Sequence, residues 1–149
     1  MSLPIRDIFS SLKQNHIAIL TNLDDIRQAI SSTLELTRKQ YLWVKPQLRG
    51  FEAALFNHFQ LQSKDLYAQL LISAGEGSIK DIEFLVEDLK DFKVKTLMFF
   101  DDHPADMGDL SPRNFRVTFY AFADYVQARM NAERDFLFPL LEKISQHCN

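Results

Sequence analysis

Five residues in three parts of the chain carry side chains that could bind a metal ion or form a buried ion pair: His16, His58, Gln62, Arg129 and Glu133. His58 and Gln62 stand four positions apart in the sequence. Arg129 and Glu133 have the same spacing, so each pair would point from one face of a helix. Two imidazoles and a carboxylate are groups that can ligate a metal ion. Glutamine is a poor ligand for iron, and a guanidinium stays protonated and repels a cation. The set therefore predicts either a depleted metal site or an ion pair in its place.

Each of these residues also has a purely structural interpretation. A histidine on an apolar helix face is commonly a hydrogen-bonded core residue rather than a ligand, and this applies to His16 and His58 taken separately. Arg129 and Glu133 could form an ordinary pair on a helix surface, worth roughly a few tenths of a kcal/mol. The sequence leaves these alternatives open, and the burial of Arg129 is the property that separates them.

Four stretches rich in helix formers must position these residues, and each carries apolar residues at spacings of three and four. The predicted helices run from about Pro4 into the thirties, from roughly Pro46 to Ile72, from Ser78 to Phe100, and from Pro112 to Ile144. Short connections favour antiparallel neighbours. The sequence therefore predicts an all-α fold, an up-down-up-down antiparallel four-helix bundle, formed by a single domain over residues 1–149.

The five polar residues fall on the apolar stripes, roughly midway along their predicted helices. Mid-points of antiparallel helices meet, so we predict one polar layer inside the bundle. Left unpaired, these groups would cost on the order of several kcal/mol, so neighbours, water or a metal must satisfy them. Glu133, Glu87 and Asp88 are the candidate partners for Arg129. Pro139 should kink the fourth helix or begin its last turn, because it lacks a backbone N–H.

Composition and charge narrow the classes of function. Lys and Arg total 17 against 20 Asp and Glu, for a net charge of −3, so the chain lacks the basic field that attracts nucleic acids or anionic membranes. No apolar run approaches the ~20 residues of a membrane span. The single cysteine, Cys148, excludes an internal disulfide and fits a reducing compartment, so we predict a cytoplasmic protein without a signal peptide. The sequence has no glycine-rich phosphate loop or nucleophile elbow, which disfavours an enzyme.

Three stretches, QNHIAIL, NHFQLQSKDLYAQL and ARMNAERDFLFPLLEKI, resemble the hemerythrin-like (HHE cation-binding) family. Members of that family are four-helix bundles that hold a non-haem di-iron or related metal centre. The resemblance implies that His16 and His58 match the first two histidine ligands and that Glu133 matches a carboxylate of the last helix. It also implies binding or sensing of oxygen, redox state or iron.

The chain departs from the family pattern at three places. Gln62 stands where the second helix normally has glutamate, Arg129 stands where the last helix has histidine, and FLVEDLKDF in the third helix contains no histidine. Too few imidazoles and carboxylates remain for two cations, so we expect weakly bound iron or no metal, and no complete di-iron centre. The alternative function is a metal-free protein-interaction module, loosely similar to anti-sigma regulators of the sigma D regulator type. The protein partner and the oligomeric state stay open.

Overall fold

The computed structural model describes residues 4–31, 38–102 and 112–147, and all regular secondary structure in these ranges is helical. The predicted all-α class is therefore confirmed. The helices are α1 (Ile5–Ser31), α2 (Arg38–Leu61), α3 (Lys64–Ser73), α4 (Ile79–Asp102), α5 (Pro112–Ala132) and α6 (Phe138–His147). A 3-10 turn, Glu76–Ser78, precedes α4, and a π-helical turn, Glu133–Leu137, joins α5 to α6. No helix within the described ranges is long and apolar enough to cross a lipid bilayer.

The helix predicted to begin at Pro46 instead begins at Arg38 and includes the proline. Pro46 has no N–H to donate to the carbonyl of Leu42, four residues earlier. Both residues are exposed, so water can hydrate that carbonyl and the helix continues. The prediction of a helix boundary at Pro46 was therefore wrong, because the missing hydrogen bond lies on the solvent side of the helix.

The same predicted helix, expected to run unbroken to Ile72, is divided in two at Ser63. The Ser63 backbone is extended, with φ −75° and ψ 164°, and its Oγ accepts a hydrogen bond from the Leu66 N–H at 3.3 Å. A serine with this geometry is an N-cap and starts a new helix. The prediction of one helix was wrong, because the apolar spacing continues across a break in the backbone.

A π-helical turn interrupts the fourth predicted helix directly before Pro139. The N–H of Phe138 donates to the carbonyl of Glu133, five residues earlier, which makes the turn wider than an α-helical one. Pro139 follows as the second residue of α6 and has no N–H with which to continue the regular pattern. The sequence predicted a kink or the start of the last turn at Pro139. The structure instead has a π turn just before this residue, and α6 continues to His147.

Buried apolar side chains form two clusters among the described residues. The aromatic cluster combines aliphatic residues of α1 and α2 with seven phenylalanines: Phe51, Phe92, Phe99, Phe100, Phe115, Phe119 and Phe122. The aliphatic cluster contains no buried phenylalanine and is formed by Ile5, Ile8, Leu12, Leu66, Tyr67, Leu70, Ile82, Leu85, Leu89, Leu137, Leu141 and Ile144. Helices α1 and α4 begin in the aliphatic cluster and end in the aromatic cluster, whereas α2 with α3 and α5 with α6 pass in the opposite direction.

The helices contact one another across both clusters. Helix α1 packs against α2, α5 and α6, and α4 packs against α5 and α3. Two features discussed for the sequence lie outside the described residues: the predicted end of the first helix in the thirties and Cys148.

Candidate metal site

The five polar residues singled out in the sequence meet in one buried layer between the aromatic and aliphatic clusters. His58 and Glu133 are fully buried, and Arg129, Gln62 and His16 are 1%, 2% and 6% exposed. Each stands where its part of the chain passes from one cluster to the other. Arg129 and Glu133 thus form a buried pair and not a pair on the helix surface.

Glu133 lies at the centre of the layer and is the first residue of the π turn. Its Oε1 lies 2.7 Å from His16 Nε2, and its Oε2 lies 2.8 Å from His58 Nε2. Arg129 Nε donates to the same Oε2 at 2.6 Å. The ligand atoms of the two histidines and the glutamate lie within 4.8 Å of one another, which is close enough to hold one metal ion. One carboxylate therefore joins both imidazoles and the guanidinium.

The surroundings of Glu133 keep its carboxyl group ionised. Burial by itself would raise the pKa of this group, because desolvation disfavours the charged form. The charge of His58, the hydrogen bonds from both histidines and the charge of Arg129 outweigh burial and hold the pKa of Glu133 well below its usual value. The layer therefore presents a permanent anion to the two imidazoles.

Asn15 determines which nitrogen of His58 faces Glu133. The Nδ2 of Asn15 donates to the carbonyl of Ala54 at 2.9 Å, so its Oδ1 is the acceptor that lies 2.7 Å from His58 Nδ1. His58 Nδ1 therefore carries a proton, and Nε2 is the nitrogen directed at the carboxylate. That Nε2 either carries a second proton or offers its lone pair to a cation. Metal-binding histidines are commonly oriented by such a hydrogen bond from the other ring nitrogen.

Gln62 turns its amide nitrogen, and not its oxygen, toward His58. Its Oε1 accepts hydrogen bonds from Arg129 Nη2 at 2.9 Å and from the Tyr67 hydroxyl at 2.7 Å. An arginine only donates, so these contacts assign the position of the oxygen. Gln62 Nε2 then lies 3.0 Å from His58 Nε2. An unprotonated His58 Nε2 can accept a hydrogen bond from this amide, which competes with a metal ion for the same lone pair.

All the N–H groups of Arg129 point at acceptors. Nε donates to Glu133 and Nη2 donates to Gln62, as described above. Nη1 also donates to the Leu85 carbonyl at 2.9 Å and to Asp88 at 3.1 Å. Nη2 makes a further bond to the Tyr67 hydroxyl at 3.3 Å. Burial would lower the pKa of this guanidinium, but the charge of Glu133 and the other partners raise it. Arg129 is therefore a fixed cation inside the layer.

The two acidic residues of α4 that the sequence offered as partners for Arg129 point in different directions. The Asp88 side chain is 25% exposed and bonds to Arg129 at 3.1 Å. The Glu87 side chain is 73% exposed and bonds to Lys90 at 3.1 Å. Consecutive helical residues point about 100° apart, so only one of the two can face the layer. Glu87 lies outside the polar layer, contrary to the expectation from the sequence.

Asn15, Tyr67 and the Leu85 carbonyl complete the layer, and none of the three was predicted from the sequence. Asn15 stands three residues after Leu12 and four before Ile19, so the stripe spacing of α1 was a signal that could have found it. Tyr67 follows a helix break that the apolar pattern did not show. A backbone carbonyl has no signature in sequence, because every residue carries one.

The donor set formed by the described residues His16, His58 and Glu133 fits one divalent metal ion. His16, His58 and Glu133 supply two imidazoles and one carboxylate, a combination that suits ferrous iron. The Arg129 guanidinium and the Gln62 amide, which lie beside these ligands, present hydrogens and not lone pairs to them. The structure thus offers ligands for a mononuclear site.

A cavity of about 340 Å³ connects His16 to the surface. It is lined by apolar residues that include Met130 and Phe138 and by two cationic residues, Lys13 and Arg134. His16 is the member of the polar layer that lines this cavity. A metal ion or a small ligand can therefore approach the layer from the side of His16.

The chain matches none of the protein-family models, curated proteins or solved structures with which it was compared. The resemblance to the hemerythrin-like family therefore stays a prediction that rests on the residues of the chain itself.

Proposed function

We propose that the chain is a hemerythrin-like, up-down-up-down antiparallel four-helix bundle that binds one iron ion weakly through His16, His58 and Glu133. The order in which the chain visits the two clusters supports this topology. Successive long segments, α1, α2 with α3, α4, and α5 with α6, pass between the clusters in alternating directions. The contacts of α1 with α2 and of α4 with α5 agree with neighbouring antiparallel helices.

One observation carries the metal proposal: the Nε2 atoms of two histidines from different helices converge on one buried, ionised carboxylate. The bond from His58 Nδ1 to Asn15 leaves His58 Nε2 free to act as a neutral metal ligand. Without a second proton or a metal, that lone pair would face the anionic oxygen of Glu133 at 2.8 Å. A divalent cation bound between them removes this repulsion.

Bound iron would supply a one-electron redox couple and a coordination position for a small ligand such as dioxygen. The residues of the chain do the rest: Glu133 offsets part of the metal charge, Asn15 orients His58, and the two apolar clusters keep bulk water out. His16 lines a cavity that admits small molecules. A site of this kind suits the binding or sensing of iron, oxygen or redox state.

The proposed site is weak because two groups of the layer oppose a cation. Gln62 directs an amide N–H at the lone pair that His58 would give to the metal. Arg129 places a fixed positive charge 2.6 Å from the Glu133 oxygen that the metal would share. Occupancy at low affinity follows the free metal concentration, which is a property that a sensor needs.

The test is metal analysis of protein after equilibrium dialysis without oxygen against a known concentration of free ferrous iron, because a weak site is occupied only while free metal is present. We expect up to one iron per chain in the wild type and loss of that iron in Glu133→Gln. Glu87→Gln is the matched control, because it removes the same charge from an exposed position outside the layer. Wild-type protein that holds no more iron than Glu133→Gln would contradict the proposal.

A second candidate function, a metal-free interaction module, is favoured by the completeness of the hydrogen-bond network. Among the described residues, the one buried side-chain nitrogen or oxygen without a partner is Thr96 Oγ1, which lies outside the layer. A closed network of this kind needs no metal. Helix α4 also exposes Val94, Leu97 and Met98, which are 54%, 55% and 61% exposed at spacings that share one helix face. Metal-free protein whose stability does not change on addition of ferrous iron would favour this candidate.

A further inference from the structure

A second cavity, with a volume of about 670 Å³, lies where α2 ends and α3 crosses α4. The break at Ser63 separates α2 from α3 and leaves this groove open beside α4. Its apolar wall includes Phe59, Leu71, Val86 and Leu89. The volume lies within the range of about 300 to 1,000 Å³ that is typical of small-molecule sites. The groove is therefore large enough for an extended or folded alkyl chain.

Three lysines and no carboxylate line the groove: Lys64, Lys90 and Lys93. Lys90 also pairs with Glu87, but both side chains are largely exposed, and a pair of this kind exchanges readily for another partner. Lys93 Nζ lies 6.0 Å from the centre of the Phe59 ring, which places a cation beside the apolar wall. The groove thus combines an apolar surface with charged side chains that are all positive.

The polar groups in the inner part of the groove are already occupied. The Tyr67 hydroxyl donates to Gln62 Oε1, and the same two oxygens accept from Arg129. Tyr67 and Gln62 are 5% and 2% exposed. A ligand therefore gains little from polar atoms deep in the groove and gains most from an apolar body with one negative charge at the lysines.

We propose that this groove binds the anion of an amphiphilic carboxylic acid of the fatty-acid class. The alkyl chain packs on Phe59, Leu71, Val86 and Leu89, and the carboxylate lies among the lysine ammonium groups. A neutral alkyl compound makes no charge contact with the lysines, and a cationic one is repelled by them. The inner end of the groove meets the polar layer at Gln62 and Tyr67, but none of His16, His58 and Glu133 lines it.

The experiment is isothermal titration calorimetry of the metal-free protein at low ionic strength, with dodecanoate below its micelle concentration. Dodecyltrimethylammonium has the same chain and the opposite charge, and butanoate has the same head group and a short chain. We expect dodecanoate to bind at one site per chain and butanoate to give no measurable binding. We expect the cation to bind about tenfold more weakly or not at all, which corresponds to a few exposed charge contacts.

Two variants test the two halves of the groove. Ala68→Trp places a large ring in the groove from an exposed position, and Ala53→Trp is its control on an exposed position of α2 outside the groove. Changing Lys64, Lys90 and Lys93 together to glutamine removes the charge, and Lys39, Lys80 and Lys143, which are exposed elsewhere, form the control set. We expect loss of dodecanoate binding in Ala68→Trp, about tenfold weaker binding in the groove triple variant, and wild-type affinity in both controls.

Circular dichroism of each variant, with and without dodecanoate, establishes that the helical fold is retained. Absence of dodecanoate binding to the folded wild type would overturn the proposal. Equal affinity for dodecanoate and the cationic amphiphile, or wild-type affinity in Ala68→Trp, would do the same. Because all titrations use metal-free protein, none of these results bears on iron binding by His16, His58 and Glu133.

Discussion

The aromatic and aliphatic clusters differ in the helices that enclose them. The aromatic cluster packs phenylalanines from long helices, for example Phe99 stacked on Phe122 with ring centres 4.4 Å apart. On the aliphatic side the described chain is interrupted three times, by the break at Ser63, by the 3-10 turn and by the π turn. Within residues 4–31, 38–102 and 112–147, the three interruptions thus lie on the aliphatic side, whereas α1 and α4 run unbroken through both clusters.

The polar layer lies on the boundary between these two regions, and two of the three interruptions begin at its members. Gln62 is the residue before the break at Ser63, and Glu133 is the first residue of the π turn. Each interruption changes the direction of the side chains that follow, which lets Tyr67 reach Gln62 and Arg129. The comparison teaches that the regular end supplies rigid packing, while the interrupted end shapes the layer and the groove.

The largest expected effect comes from Arg129, whose charge lies between the two regions. Arg129→Ala removes one partner of a buried ion pair and leaves the carboxylate of Glu133 without it. We expect a loss of about 3 to 5 kcal/mol in the free energy of unfolding, measured by denaturant melts. Arg27→Ala, which breaks a surface pair with Asp124, should cost less than about 1 kcal/mol. If the denaturant melting curve of Arg129→Ala overlays that of the wild type, the polar layer does not contribute to stability.

Truncations in the two clusters compare their packing directly. Phe51 is fully buried and contacts Phe100, Phe119 and Phe122 edge to face. Phe51→Ala should cost about 3 to 5 kcal/mol, and Leu70→Ala about 2 to 3 kcal/mol, because the short helix α3 can relax around the smaller side chain. The same denaturant melts measure both variants. A greater cost for Leu70→Ala would reverse the comparison.

The dependence of stability on acid pH reports on Glu133. Its pKa is lowered in the folded protein, so its contribution to stability is complete above the unfolded value of about 4.3. The contribution is lost as the pH falls below that value and through the lower folded pKa. We expect the free energy of unfolding to fall in this window and to depend less on pH in Glu133→Gln. Glu87→Gln is the control and should follow the wild-type profile.

Metal affinity can be increased by changing the two residues that oppose a cation. Gln62→Glu combined with Arg129→His supplies a carboxylate and an imidazole in their place. We expect iron affinity, measured by competition with a chelator, to rise about tenfold or more. Gln60→Glu combined with Arg27→His makes similar changes at positions outside the layer and should have no effect. Unchanged affinity in the first pair would mean that these positions do not limit metal binding.

The smallest expected effect concerns Tyr67, which belongs to the interrupted region. Tyr67→Phe removes a hydrogen bond to Gln62, but Gln62 Oε1 keeps its bond from Arg129, so the cost should be about 0.5 to 1.5 kcal/mol. Burial raises the pKa of Tyr67, so its contribution is present below the unfolded value of about 10 and is lost as the pH rises above it. Denaturant melts at neutral and alkaline pH should show this alkaline loss in the wild type and a smaller one in Tyr67→Phe.

The sequence by itself determined the helical class and identified five of the polar residues that lie on buried faces. Both follow from the periodicity of three and four, which is a local property of one helix. The same periodicity placed His16, His58 and Arg129 on core faces without any knowledge of their neighbours. It did not show the break at Ser63, because a serine N-cap depends on backbone geometry that the apolar spacing does not contain.

Only the tertiary structure decided which of these polar groups touch. Three of these contacts join residues from different helices. Asn15 contacts His58, and Tyr67 contacts Arg129. Asp88, and not Glu87, also contacts Arg129. Such contacts depend on the rotation and axial shift of one helix against another, and a pattern within a single helix carries no information on either. The same reason applies to the groove, whose lysines come from two helices that meet only in the folded chain.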